Sequence, residues 1–236
     1  MLACNTAAIL EKAGYDLYID MMKAVIFDMD GLMIDSEPIQ SKAYELLLKF
    51  YDKKPIYNSN GLVQVVGSSN NSEMIKMKYN LREEVNIIRK KRQKFYQKIL
   101  KSEVIKPMPG LHYLLEFLKN NKLKTAVATS SSPKDVNVIF SKLKIFSYFN
   151  IIVTCVDIVK GKPAPDIYLE AAKRLNMKPA ECLVLEDSET GIEAGKKAGM
   201  KVIAVPNKLT KNHDFSKADL VVDSLNNIDW KIISTI

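Results

Sequence analysis

Six short apolar segments, rich in valine, isoleucine and leucine on both faces and separated by helical patterns, predict an α/β fold with a parallel sheet covered on both sides by helices. A second observation adds a further body. Between the first and second strands, residues 38 to 106 carry helical patterns and no strong strand, which predicts an inserted α-helical domain.

In order, the strands are KAVIF (23–27), LKTAVAT (123–129), NIIVT (150–154), CLVLE (182–186), KVIAV (201–205) and DLVV (219–222). The helices between them are PGLHYLLEFLKN (109–120), SPKDVNVIFSKL (132–143), PDIYLEAAKRLN (165–176) and TGIEAGKKAG (190–199). Pro109 and Ser132 stand at helix-start positions, and Gly199 at a helix end. Residues 22–37 and 107–236 are expected to form the α/β core, and 38–106 a helical cap hinged around Asp35 to Pro38 and Lys106 to Pro109. Residues 1–21 form an N-terminal extension to which the sequence assigns no role. Glu11, Lys12, Asp16 and Asp20 interrupt what a signal peptide would need as an apolar stretch.

The chain has 236 residues, 47% of them hydrophobic, enough for one sizeable core with a satellite. Charges interrupt every apolar run before the roughly 20 residues a membrane-spanning helix needs, so no membrane partner is expected. Cys4, Cys155 and Cys182 are scattered and unpaired, which excludes a disulfide framework, suits a cytoplasmic protein, and leaves Cys155 and Cys182 as expected core residues. The formal charge of +8 is concentrated: residues 76 to 106 hold eleven basic and three acidic side chains. Val85, Ile88, Phe95, Ile99 and Val104 recur through that run as an apolar stripe, so a packed helix with a solvated basic face is expected rather than a nucleic-acid surface.

In an open parallel sheet the ligand site lies beyond the carboxyl ends of the strands. Asp28 and Asp30 follow the first strand, Thr129 and Ser130 the second, Lys162 the loop after the third, and Glu186 and Asp187 close the fourth. Four segments thus deliver carboxylates, hydroxyls and one lysine to a single rim. Hard oxygen ligands suit Mg²⁺ together with a phosphoryl group. A carboxylate approaching a phosphate dianion is repelled by about 4 kcal/mol at 4 Å in an effective dielectric of about 20, a repulsion that a cation and Lys162 reverse. The two aspartates take separate roles: one carboxylate attacks phosphorus, the other handles the proton of the leaving alcohol. Gly31 lets the chain turn immediately afterwards.

Taken in order, DMDGLMIDS, VATSSS, GKPAPD and LVLEDSETGIEAGKKAG resemble the four motifs of the haloacid dehalogenase-like (HAD) superfamily, over residues 22 to 225. The position of the helical insertion is similar to the branch containing sugar phosphatases, phosphoglycolate phosphatases, pseudouridine phosphatases and β-phosphoglucomutases. The resemblance implies a Rossmann-like core, Asp28 as nucleophile, Asp30 as general acid/base, and Thr129, Ser130 and Lys162 as phosphoryl ligands. It also implies Mg²⁺ held by Asp28, the Asp30 main-chain carbonyl, Asp187 and Glu186, with substrate contacts in the cap at Glu37, Gln40, Gly67, Ser68, Ser69 and Asn70.

The expected activity is a Mg²⁺-dependent phosphatase acting as a monomer on a small phosphorylated metabolite, foremost a sugar phosphate. A β-phosphoglucomutase-like hexose-phosphate mutase is the first alternative, although Gln40, Ser132-Pro133 and Asn70 stand where the similar mutases carry histidine, Lys-Asn and arginine. A pseudouridine or nucleotide monophosphatase is the second. A phospho-ligand sensor without chemistry has no use for both Asp28 and Asp30, and no P-loop spacing is present.

Overall fold

The computed structural model describes residues 22–64 and 71–236. Six strands, β1 (Ala24–Phe27), β2 (Lys124–Ala128), β3 (Ile151–Val153), β4 (Cys182–Glu186), β5 (Lys201–Ala204) and β6 (Leu220–Val221), form one parallel sheet in the order 3-2-1-4-5-6. All six expected strands are present; β4 keeps its full expected span and the other five are trimmed by a residue or two at their ends. The chain winds outward from β1 in one direction and from β4 in the other. The β1–β4 boundary is therefore the switch point, where a crevice opens beyond the strand ends.

Side chains alternate across β1, and each face has its own core. Val25 and Phe27 join Val127, Leu183 and Leu185 on one side, under α4 (Leu111–Asn120) and α5 (Pro133–Leu143). Ala24 and Ile26 join Ala126, Val184 and Val202 on the other, under α6 (Asp166–Leu175) and α7 (Glu189–Lys197). A short α8 (Trp230–Ile233) follows the last strand.

Helix starts follow local chemistry. Ser132 caps α5 in a reciprocal box with Asp135, as its position before Pro133 predicts. Pro109, by contrast, does not open a helix. Gly110 adopts φ 90° and α4 begins at Leu111; a side chain at Gly110 would put a Cβ 2.3 Å from the Asn226 nitrogen.

Among the described residues, three helices occupy the interval between β1 and α4: α1 (Glu37–Phe50), α2 (Asn71–Lys78) and α3 (Val85–Ser102). Tyr44, Leu47, Leu48, Val63, Ile75, Tyr79, Leu81 and Ile88 make a third cluster among them. Their ends nearest the sheet do not stand apart, because Ile39, Ala43, Tyr96, Ile99 and Leu100 belong to the first core cluster. The two connecting segments are paired: the Asp35 N–H donates to the Lys106 carbonyl at 3.2 Å, and the Met108 N–H to the Met33 carbonyl at 2.9 Å. Two further ties cross between the bodies. Gln93 Nε2 donates to Asp135 Oδ2 at 2.7 Å, and Lys142 Nζ donates to the carbonyls of Leu100, Lys101 and Glu103 at the end of α3.

Most of the basic run lies on α3, with Ile88 and Ile99 buried, so the packed-helix expectation holds for its middle. Val104 is 82% exposed because α3 ends at Ser102 and the stripe ends with it. Cys155, expected in the core, is exposed on the loop after β3, whereas Cys182 opens β4 and is buried. No described helix is long and apolar enough to cross a membrane.

Candidate active site

Parallel register sets the first contact. Phe27 pairs with Leu185, so Asp28 emerges beside Glu186, and the Asp28 N–H donates to the Leu185 carbonyl at 3.0 Å. Asp28 is 8% exposed and Glu186 fully buried, and between them lies Lys162, brought in from the loop after β3. Lys162 Nζ donates to Asp28 Oδ1, to Glu186 Oε1 at 2.7 Å and to the Ala128 carbonyl at 3.2 Å. The Tyr168 ring lies beneath the ammonium, 4.9 Å from nitrogen to centroid, and its hydroxyl donates to Glu186 Oε1 at 2.8 Å. Three of the four rim segments therefore meet on one cation.

Glu186 is clamped. Besides Lys162 and Tyr168 on Oε1, its Oε2 accepts from the Asp187 N–H, the Ser188 N–H and the Ser188 hydroxyl, at 2.9 to 3.0 Å. Gly191 is obligatory for this arrangement, since a Cβ there would lie 1.7 Å from Glu186 Oε1. Asp187 is held differently. Asn207 Nδ2 donates to Asp187 Oδ2 at 2.8 Å and to the Gly31 carbonyl at 3.0 Å, fastening the turn after Asp30 to the fourth segment. Gly31 has φ 90°, and a Cβ on it would lie 2.5 Å from Asp187 Oδ2.

Packing this much carboxylate into a buried corner has a cost, visible in the protonation equilibria. Burial pushes the Asp28 carboxyl up to about 7, with Lys162 pulling it down and Glu186 pushing it up. Burial and the charges of Glu186 and Asp28 drive Asp187 well above the ordinary carboxylate range. Glu186 stays below its ordinary value: burial opposes this, but attraction to Lys162 and its hydrogen bonds outweigh burial. Lys162 remains charged for the reciprocal reason, the two carboxylates outweighing the desolvation of its ammonium.

Carboxylate oxygens of Asp28, Glu186 and Asp187 lie within 4.8 Å of one another. Hard oxygen donors at this spacing, two of them pushed toward protonation first by burial and then by neighbouring carboxylates, fit a divalent cation, whose charge offsets both effects. Asp28 and Asp187 fit best as ligands. Both Glu186 oxygens already serve five hydrogen bonds, which suits it to anchoring Lys162.

The second segment contributes Thr129, buried at the end of β2; its Oγ1 accepts from the Ser131 N–H at 3.0 Å. Ser130 is exposed at the rim, and its N–H meets no acceptor among the described residues. Asp30 Oδ2 accepts from the Ser131 hydroxyl at 2.6 Å, and burial raises its pKa against the pull of Ser131 and Ser36.

The cap residues are not gathered into one place. Gln40 faces α3, where its Oε1 accepts from Arg92, whose guanidinium lies 5.6 and 5.7 Å from the Tyr44 and Tyr96 ring centroids. Glu37 instead lines a cavity of about 630 Å³ beside the connecting segments, with Asp35, Lys106, Asn207 and Lys208. Burial and a hydrogen bond with Asp35 push its carboxyl up to about 8. Gly67, Ser68, Ser69 and Asn70 lie outside the described residues.

Sequence reasoning missed Asn207, Ser131, Tyr168 and Arg92. Asn207 lies three residues past β5 and was within reach of the same strand-end rule that found the others; Arg92 is one cation among eleven in its run.

Residues 25–205 match the family model described as haloacid dehalogenase-like hydrolase. The phosphorylated carbohydrates phosphatase of Thermotoga maritima is 32% identical over 182 residues, covering 77% of this chain and 84% of the relative. The β-phosphoglucomutase of Bacillus subtilis is 31% identical over 218 residues, covering 90% and 94%. Among solved structures, a HAD hydrolase of family IA, variant 3, from Entamoeba histolytica superposes with a TM-score of 0.78 at 26% identity, over 91% of this chain and 98% of that one.

Proposed function

Since this chain belongs to the haloacid dehalogenase-like hydrolases and is a phosphoric monoester hydrolase, we propose that it is a Mg²⁺-dependent phosphatase of a small sugar phosphate, working through an aspartyl-phosphate on Asp28. The observation that carries this reading is the shared cation: Lys162 joins Asp28 to Glu186 in a pocket where each side chain is at most 11% exposed. Its ammonium bonds directly to the Asp28 carboxylate, which supports a role in holding a phosphoryl group against Asp28.

In this mechanism Asp28 attacks phosphorus as Asp30 gives a proton to the departing alcohol oxygen; Asp30 then takes a proton from the water that hydrolyses the acyl phosphate. Lys162 and the Thr129 hydroxyl hold the nonreacting phosphate oxygens, with the Ser130 N–H at the rim. Glu186 and Tyr168 keep Lys162 aimed, and Asn207 keeps Asp187 aimed. Mg²⁺ bound by Asp28 and Asp187 would neutralise charge on the phosphate. Residues 38–106 serve as the cap that encloses the leaving group. The phosphatase of phosphorylated carbohydrates among the relatives supports a sugar phosphate as substrate class. Gln40, standing where the similar mutases carry histidine, supports hydrolysis over mutase chemistry.

Phosphate release measured across sugar phosphates, nucleotides and phosphoglycolate, with Mg²⁺ or EDTA, tests the proposal. Asp28→Asn is expected to lower turnover by about 10⁴-fold or more, the scale of removing a nucleophile. Full activity of Asp28→Asn would sink the reading, and interconversion of sugar 1- and 6-phosphates without free phosphate would replace it with the mutase.

A further inference from the structure

Asp30 carries a hydrogen bond of ordinary length on one oxygen only, with the Ser36 side chain close enough to pull its pKa down as well. Its Oδ2 accepts the Ser131 hydroxyl at 2.6 Å, while Oδ1 is buried and meets no partner among the described residues. Ser131 does not drift with its side chain, because its N–H donates to Thr129 Oγ1 at 3.0 Å and its carbonyl accepts from the Cys155 N–H at 3.3 Å. A path of two contacts through Ser131 thus runs from the phosphate-facing threonine to the carboxyl of Asp30.

We propose that Ser131 is the positioning residue for Asp30, occupying Oδ2 so that Oδ1 is the oxygen that exchanges the proton with the leaving group. This rests on Asp30 being the general acid/base, as proposed above. A protonated carboxyl has a single O–H. With the Ser131 hydrogen directed at Oδ2, the acid proton resides on Oδ1, and the carboxyl plane is fixed by the same contact. Because Ser131 is held by Thr129, the group that binds phosphate and the group that moves the proton share one frame.

The two half-reactions balance through that oxygen. As the bond from Asp28 to phosphorus forms and the ester P–O bond breaks, the Oδ1 proton passes to the alcohol. As water attacks phosphorus and the Asp28–phosphorus bond breaks, one water proton returns to Oδ1.

The test compares leaving groups. The sugar phosphate that the wild type hydrolyses fastest needs a proton on its alkoxide, whereas p-nitrophenolate departs without one. In the single-turnover release of the alcohol, which precedes the hydrolysis step common to both substrates, Ser131→Ala is expected to lose about 10²-fold on the sugar phosphate and less than about threefold on p-nitrophenyl phosphate, within the range of acid–base assistance. Ser131→Thr, which keeps the hydroxyl, is expected to recover most of the loss. Equal losses on both substrates would mean a merely structural serine and overturn the proposal. So would an unaffected Ser131→Ala alongside an inactive Asp30→Asn, an outcome that leaves the acid/base reading standing. Full sugar-phosphate turnover by Asp30→Asn would remove both.

Discussion

At the strand ends Lys162 shares its ammonium between two buried carboxylates, and every oxygen of Glu186 has a partner. On the cap, Arg92 lies between two tyrosine rings whose buried hydroxyls have no partner among the described residues. Both places concentrate polar groups away from water, yet every Glu186 oxygen is satisfied and the two tyrosine hydroxyls are not. The difference follows from their supports. Parallel register fixes the strand ends to within a residue, so a charge network can be closed without a ligand. The inserted helices set their side chains by how α1 and α3 cross, and the Tyr44 and Tyr96 hydroxyls are buried there without a partner among the described residues.

The comparison is broken most directly by removing a cation from each region. Lys162→Met leaves Asp28 and Glu186 buried without their counter-charge, and urea unfolding is expected to show a loss of about 3–5 kcal/mol. Arg89, paired with Glu73 at 3.5 Å and 56% exposed, belongs to the solvated face of α3. Arg89→Met is expected to cost less than about 1 kcal/mol. Equal costs would mean that the rim network is no more integrated than a surface pair.

A smaller effect is expected at the open end of the comparison. Arg92→Ala removes the cation that Gln40 and the two rings surround, and kcat/KM on sugar phosphates is expected to fall by about 10- to 100-fold, chiefly through KM, as loss of a uniform binding contact does. Turnover of p-nitrophenyl phosphate, which has no hydroxyls to offer the cap, is expected to change little. A loss concentrated in kcat and equal for both substrates would place Arg92 with the chemistry instead. Tyr96→Phe, which deletes only an unpartnered hydroxyl, sharpens the point: stability is expected to hold or rise while sugar selectivity weakens.

The sheet and the rim were legible in the sequence because a parallel strand announces itself by an apolar run, and the residue after the run has nowhere to point but the crevice. Asp28, Thr129, Glu186 and Asp187 follow from that rule alone. Lys162 was reached by order of motifs, and its bond to both carboxylates could not be read from spacing, since 134 residues separate it from Asp28. Tyr168 was indistinguishable from any apolar residue of α6, because its ring packs in the second core while only its hydroxyl serves Glu186. The cap was least legible. Its helices are amphipathic like any others, and the pairing of Gln40 with Arg92 depends on how α1 and α3 cross. The exposure of Cys155 was missed because an apolar strand pattern does not say where the strand stops.

Glu37 stands where the two regions join, and it supplies the mildest test. Its carboxyl is raised from 4.5 to about 8, first by burial and then by hydrogen bonding with Asp35. Between those values the folded chain keeps a proton that the unfolded chain has lost, so stability falls as pH rises through this window and is fully present only below pH 4.5. Glu37→Gln remains neutral throughout. The melting temperature of the wild type is therefore expected to decline relative to the variant between pH 5 and pH 9. Parallel melting curves would show that the joint tolerates a charged Glu37, and that the connecting segments open to water independently of the rim they border.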